Sequence, residues 1–557
     1  MNRPATRTGT GTAIGTWTGS GAPLTTLSGL PDDRLLGPVS SPGRRAGQAE
    51  RTWPEPMADG DPPDEGVSMG GLVRRGRGAI VRAVAPLAHR VLPRLGRRSA
   101  ATVLAGARRL GLERRATPAL LREAQRRFRD GEPERARDIL EAVGARDDGR
   151  RPRADTGSAH TDPDLLIAQI RALIATHDLE HARDLAEEGV RSHPRGIRLA
   201  DLLIGLLDQL GEPERAFALA VDNAGRRLRR LERKRGETPA ARHLTRDTRI
   251  FISGYFYSGS GAVLDHLRDY PGAVKWTPTG ELRLLKFPGG FGDLSKRLAD
   301  NGSLGPQDLL DLYLHITGWK ITLSPEGVYD QWAIVNRYSR RMYRRPIAFG
   351  YLAALLRCFL ELAKRPEVAA TTEDLDGHFR RHLELALDAA ATDAEADLLL
   401  VDQAITAWKL DLARLVPPST FISVHRDPRD QFAEVREVLK QPGRREQTAE
   451  DFARRNLRNR KKVDRLSPEL EHDHGHRVLR IGFEDFVMDH EGWSRRLADV
   501  LGLDPAARVP DHFDPARSRA NIGKHAVLLD DQDRATLEDA MAEFLSPHAD
   551  VPVASLD

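Results

Sequence analysis

The chain has 557 residues, 40% hydrophobic and 30% charged, with a formal net charge of +4 and a pI near 9.1. That length exceeds one domain, and the intermixed charges give no argument for nucleic acid, although the pI suits an acidic small ligand. The single cysteine, Cys358, excludes an intramolecular disulfide and a cysteine-rich metal site; no apolar run approaches a membrane span and no secretory signal opens the chain, so a cytoplasmic protein is expected.

Residues 1–72 are rich in Gly, Thr, Pro and Ser and poor in large apolar side chains, which predicts disorder. Residues 73–116 form a basic amphipathic segment. "LVRRGRGAIVRAVAPLAHRVLPRLGRR" mixes Arg with Ile80, Val81, Val84, Leu87, Val91 and Leu92. Pro86 and Pro93 interrupt it, which favours a helix packed on the next domain over peripheral contact with an anionic membrane.

A repeat follows in residues 117–235. "GEPERARDILE" starts at Gly131, "HDLEHARDLAEEG" at His177 and "GEPERAFALAVD" at Gly211. Their aligned alanines, Ala136, Ala182 and Ala216, permit close helix contact. The second spacing is 34 residues, and the first is longer by roughly the polar insertion "RDDGRRPRADTGSA". This period resembles the tetratricopeptide repeat family and predicts about three helical hairpins, which either hold a protein partner or act as a spacer. The run "RRLRRLERKRGE" (226–237) reads as a solvated helix and linker.

From residue 245 to 557, short apolar runs alternate with helical stretches. The runs are Ile250–Ser253, Ala273–Trp276, Asp397–Val401, Thr420–Val424 and Val478–Ile481. The alternation predicts an α/β domain, a parallel sheet sandwiched by helices. Residues 280–395 read as a mostly helical insertion over the ligand-binding end of the sheet.

The first run leads into "GYFYSGSG" (254–261), a glycine-rich turn before a helix. Its backbone N–H groups from Ser258 to Gly261 can converge on an anion. Ser260 stands where a nucleotide-triphosphate loop needs lysine, and Gly261 where it needs a Mg²⁺-binding hydroxyl, so an ATPase or nucleotide kinase is disfavoured. The fourth run emits "VHRDPRD" (424–430), placing Arg426 at a strand end where it can bind a second phosphate.

These two motifs, with "LRIGFEDFVMD" (479–489) and "SRANIGKH" (518–525), occur in the order found in sulfotransferases that use 3′-phosphoadenosine 5′-phosphosulfate (PAPS). Over about 247–545 the chain resembles that family. The family patterns are G-x-P-[RK]-S-G-T-[TS], V-x-R-[DN]-P-x-D, a strand ending in [YF]-E-D-[LF], and a late basic glycine-containing loop. The resemblance implies a P-loop-type sheet. It implies that Ser258, Gly259, Ser260 and Gly261 hold the 5′-phosphosulfate, that Arg426 holds the 3′-phosphate, and that Phe483 lies near the adenine. It assigns Arg519, Gly523 and Lys524 to a segment closing over the nucleotide. Tyr257 replaces the loop cation, and Glu434 replaces a second phosphate ligand. Arg283 or Lys286 is expected to supply the missing cation, and Arg436 or Lys524 to offset Glu434.

Sulfuryl transfer needs an in-line acceptor oxygen, compensated charge and a base. Glu281, after the second strand, is the expected base by the same resemblance; His315 and His266 are weaker candidates, and His266 reads as structural. Asp402 and Gln403 either bind acceptor hydroxyls or cap a helix. No metal is implied, and the nearest cluster, "HDHGH" (472–476), reads as a polar loop before a strand. The expected reaction moves a sulfuryl group from PAPS to a hydroxyl of a carbohydrate, lipid or secondary metabolite. The alternative is a non-catalytic scaffold with helical repeats and a degenerate nucleotide domain.

Overall fold

The computed structural model describes residues 163–236, 240–322 and 331–550, apart from Phe256, 277–281 and 440–446, together with parts of 120–144. The segments expected to be disordered (1–72) and basic amphipathic (73–116) lie outside the described residues.

The N-terminal part is helical: α1 (Pro133–Gly144), α2 (Pro163–Ala175), α3 (Leu179–Ser192), α4 (Ile197–Gln209) and α5 (Pro213–Arg235). The turns before α3 and α5 carry left-handed residues, His177 (φ 60°) and Gly211 (φ 78°). Ala136, Ala182 and Ala216 are all fully buried, so the small residue at each repeat position is where helices meet. The α5 run is not wholly solvated, because Arg227 and Leu231 turn inward.

A second block, α7 (Phe291–Asn301), α8 (Pro306–Thr317), α9 (Gln331–Met342), α10 (Phe349–Lys364) and α11 (Thr372–Asp393), lies within the later half of the chain. Helix α5 packs against both α8 and α10. A buried polar network joins them. The Tyr313 hydroxyl on α8 donates to Asp201 Oδ1 on α4 (2.8 Å), Asn223 Nδ2 on α5 donates to the same hydroxyl (2.9 Å), and Arg227 pairs with Asp201. Each buried polar atom that finds a partner avoids a cost of roughly 1–3 kcal/mol.

The sheet is parallel throughout and has five strands in the order β2-β3-β1-β4-β5. They are β1 (Arg249–Gly254), β2 (Ala273–Lys275), β3 (Leu398–Asp402), β4 (Thr420–His425) and β5 (Arg477–Gly482). Each overlaps a predicted run. The inner strands β1, β3 and β4 are buried almost end to end, which is why they read as continuous apolar runs. Alternate residues feed two cores. Phe251, Val401 and Phe421 join the cluster that holds α10 and α11, while Ile252, Leu400 and Ile422 join a cluster with α6 (Ser260–Leu267), α14 (Phe483–Met488) and α15 (His490–Leu501). The insertion thus shares a core with one face of the sheet.

One expectation is corrected. The segment Pro346–Lys364 is long and apolar enough to cross a membrane by composition, but 67% of its apolar window is buried, as in a core helix. The "HDHGH" stretch also differs from a polar loop. Its first residues end α13 (Ala449–His474), Gly475 caps that helix at φ 65°, and His476 is buried. His476 accepts from Ser419 N through Nδ1 (3.1 Å) and donates through Nε2 to Ala413 O (3.0 Å), so neither nitrogen is open to a metal.

Candidate functional site

Strand β1 lies between β3 and β4, so its C-terminal end opens where the chain order reverses, the usual ligand crevice of such sheets. Two left-handed residues, Tyr257 (φ 55°) and Gly259 (φ 83°), bend the chain from β1 into α6. Ser258 N donates to Tyr255 O (3.0 Å) and closes the turn. The turn requires its first two glycines: a Cβ on Gly254 would collide with Ser258 Oγ, and one on Gly259 with the Phe483 ring. At Gly261, by contrast, nothing approaches within 4 Å of where a Cβ would stand. The side of α6 at Gly261 therefore borders open space, next to the N–H groups at the helix start. Beside it, Ser258 Oγ is buried without a hydrogen-bond partner.

Arg426 leaves β4 with its guanidinium buried, at 4% exposure. Nη1 donates to Tyr257 O (3.2 Å), Nη2 donates to Asn521 O, and the group sits 5.3 Å from the Phe483 ring centre. Its Nε is buried without a partner. One side chain thus touches all four sequence motifs. Phe483 is packed between Gly259 and Arg426 and belongs to a core cluster.

The rest of "RDPRD" holds the frame. Asp427 pairs with Arg429 (2.9 Å), and its N–H donates to Glu484 Oε1 (3.0 Å). Burial pushes the Glu484 carboxyl up to about 7. Asp430 accepts from Gly523 N (2.7 Å), His525 N (2.9 Å) and His525 Nδ1 (2.8 Å), clasping the late loop against α12 (Pro428–Leu439). Lys524 pairs with Glu434 (2.7 Å), whereas Arg436 turns away to Asp530 and Asp533. Of the two expected compensators, Lys524 is the one at Glu434. Arg519 is exposed. Arg460, which sequence reasoning missed, donates from α13 to Arg426 O and is nearly fully buried.

Tyr257 does not stand in for a cation: its side chain packs against the apolar cluster of Phe432, Phe452 and Leu529. The two expected cations, Arg283 and Lys286, lie on another element. Lys286 Nζ donates to Gln403 O (2.7 Å), and Gln403 Nε2 donates to Ser260 Oγ (2.8 Å) at the start of α6. Gln403 holds a left-handed conformation (φ 52°) to make this link. Lys409 Nζ reaches Lys286 O (3.2 Å), and Lys275 lies 3.8 Å from Asp402. Arg283 instead stacks on Phe287 and Tyr338.

Glu281 lies outside the described residues. The weaker base candidates are both buried. His315 donates through Nδ1 to Pro288 O (2.7 Å), and burial lowers it to about 4. His266 bonds His490 (3.2 Å) among Tyr270, Phe486 and Phe513, and burial lowers it to about 3.

Residues 328–507 match the model of the sulfotransferase family. That span covers α9 to α15, including β3, "VHRDPRD" and the glutamate-bearing end of β5, and begins after the glycine-rich turn. No curated protein matches the chain. A parallel five-stranded sheet flanked by helices, four motifs meeting at Arg426 and the family match agree: the C-terminal domain is a sulfotransferase-family domain, a transferase whose chemistry is sulfuryl transfer.

Proposed function

We propose that the domain moves a sulfuryl group from PAPS to a hydroxyl of a carbohydrate, lipid or secondary-metabolite acceptor. The observation that carries this reading is the run of contacts from Lys286 through Gln403 to Ser260, which ties a lysine-bearing segment to the helix start where the loop itself has no cation.

The residues fit the donor. The buried, unpartnered Ser258 Oγ and the open space at Gly261 suit a phosphate-type group, held by the N–H groups of 258–261. Arg426, through its unpartnered Nε, is assigned to the 3′-phosphate. Lys524 neutralises Glu434 beside it. The donor supplies an activated sulfuryl group. The acceptor oxygen bonds to sulfur as the bond from sulfur to the 5′-phosphate oxygen breaks, and Glu281 takes the acceptor proton. Lys286 stabilises charge on the leaving oxygen. Gln403 is committed to Ser260, so it positions the helix start and leaves acceptor binding to other groups.

The test uses the full chain, labelled PAPS and an acceptor panel, with calorimetry for PAPS and its desulfated product. Failure to bind either nucleotide sinks the proposal; binding without transfer to any acceptor supports the scaffold reading. Glu281→Gln is expected to abolish turnover and spare nucleotide binding. Arg426→Ala is expected to weaken binding about 10- to 150-fold, the equivalent of roughly 1.5–3 kcal/mol for a charge-assisted bond.

A further inference from the structure

Helices α10 and α11 form a hairpin through the turn Pro366–Ala369. On α10, Cys358 and Glu361 are three residues apart; on α11, His378 and His382 are four apart. Each spacing places two side chains on one face of its helix. The faces meet in the interior. Cys358, His378 and His382 are 0%, 5% and 2% exposed, and each offers a ligand atom within 4.8 Å of the others. The two imidazole centroids are 4.4 Å apart.

His378 makes only long contacts, from Nε2 to Cys358 O (3.5 Å) and from Arg381 Nη2 to Nδ1 (3.4 Å), which ligation at either nitrogen would replace, and His382 keeps one nitrogen open. His382 Nε2 donates to Glu361 Oε2 (3.1 Å), and Glu361 is itself held by Arg381 (3.0 Å). That fixes the tautomer and leaves Nδ1 as a lone-pair donor, buried and without a partner. A carboxylate that orients a histidine through its far nitrogen is the usual outer partner of a metal-bound imidazole. Nothing in the transfer site uses these residues.

We propose that Cys358, His378 and His382 bind a borderline-soft divalent cation of the zinc class, with Glu361 orienting His382. Two imidazoles and a thiolate select zinc over magnesium or calcium, which prefer oxygen. The ligand atoms must draw in by about 1 Å to reach Zn–S near 2.3 Å and Zn–N near 2.0–2.1 Å, a shift side-chain rotation supplies. The cation staples the hairpin and takes no part in sulfuryl transfer.

The chain has one cysteine, so a thiolate-to-cobalt charge-transfer band reports this site alone. The full-length protein is stripped with a chelator and titrated with Co²⁺, then with Zn²⁺. One cobalt per chain is expected, with a thiolate charge-transfer band and tetrahedral d–d bands that zinc abolishes. Zinc is expected to raise the melting temperature. Cys358→Ala is expected to lose the charge-transfer band and at least tenfold in zinc affinity. Absence of the band in the wild-type chain overturns the proposal without reference to any variant. So does a Cys358→Ala chain that folds and binds zinc as tightly as wild type.

Discussion

The two glycines flanking Ser260 differ in what they tolerate. Gly259 has φ 83°, and a Cβ there would collide with Phe483 Cδ2. Gly259→Ala therefore combines a left-handed penalty of roughly 1–2 kcal/mol with displacement of a buried ring. Gly261 has ordinary helical neighbours and empty space around its Cβ position. Gly261→Ala gains helix propensity and is expected to stabilise the fold by up to roughly 0.5–1 kcal/mol. The family pattern carries Thr or Ser at this position, so a side chain there is compatible with the donor. Stability is read by denaturant titration and affinity by calorimetry with the desulfated nucleotide. Gly259→Ala is expected to lose stability and nucleotide affinity together, and Gly261→Ala to keep both. A Gly261→Ala chain that keeps its stability but loses tenfold or more in affinity would falsify the alignment of this loop with the family pattern.

Three other outcomes follow from the geometry. Lys286→Met is expected to lower kcat by about 100-fold or more, the scale of one lost charge-stabilising group, with little change in nucleotide affinity. Arg283→Met, which removes a cation stacked on two rings, serves as the comparison, and equal losses of kcat refute the assignment to Lys286. The Glu484 carboxyl is raised from 4.5 to about 7. The folded state therefore holds the proton more tightly, and wild-type stability falls relative to Glu484→Gln as pH rises from about 4.5 to about 7, by roughly 3 kcal/mol at 1.36 kcal/mol per unit. Denaturation of both chains at pH 5 and pH 8 measures this, and a pH-independent difference refutes it. Tyr313→Phe removes the hydroxyl bridging Asp201 and Asn223 and is expected to cost about 1–3 kcal/mol in denaturant titration; no loss means the network contributes little.

The strands were legible because the inner ones are buried on both faces, which writes an apolar run directly into the chain. The turn at 254–261 was legible because glycines mark where backbone must bend. The sequence offered Arg283 or Lys286 as the missing cation. That Lys286 meets Gln403, and Gln403 meets Ser260, depends on a left-handed Gln403, a conformation no local pattern announces. The Cys358, His378 and His382 cluster was invisible for a related reason. Two ordinary helix spacings become one site only through the register of a hairpin. Pro346–Lys364 shows the converse: its composition alone fits a bilayer, and only the surrounding helices explain its apolarity.

Asp430 has a consequence for how a ligand is met. By fixing Gly523 and His525, it seats the 518–525 segment against α12 as part of folding. On the proposed function, a nucleotide arriving at Arg426 then finds one wall of its site already standing. That reading removes the ordering entropy that a mobile flap demands at the moment of capture. Association is therefore expected in a single kinetic phase, with a small negative heat-capacity change set by the ligand's own buried surface rather than by a segment folding around it.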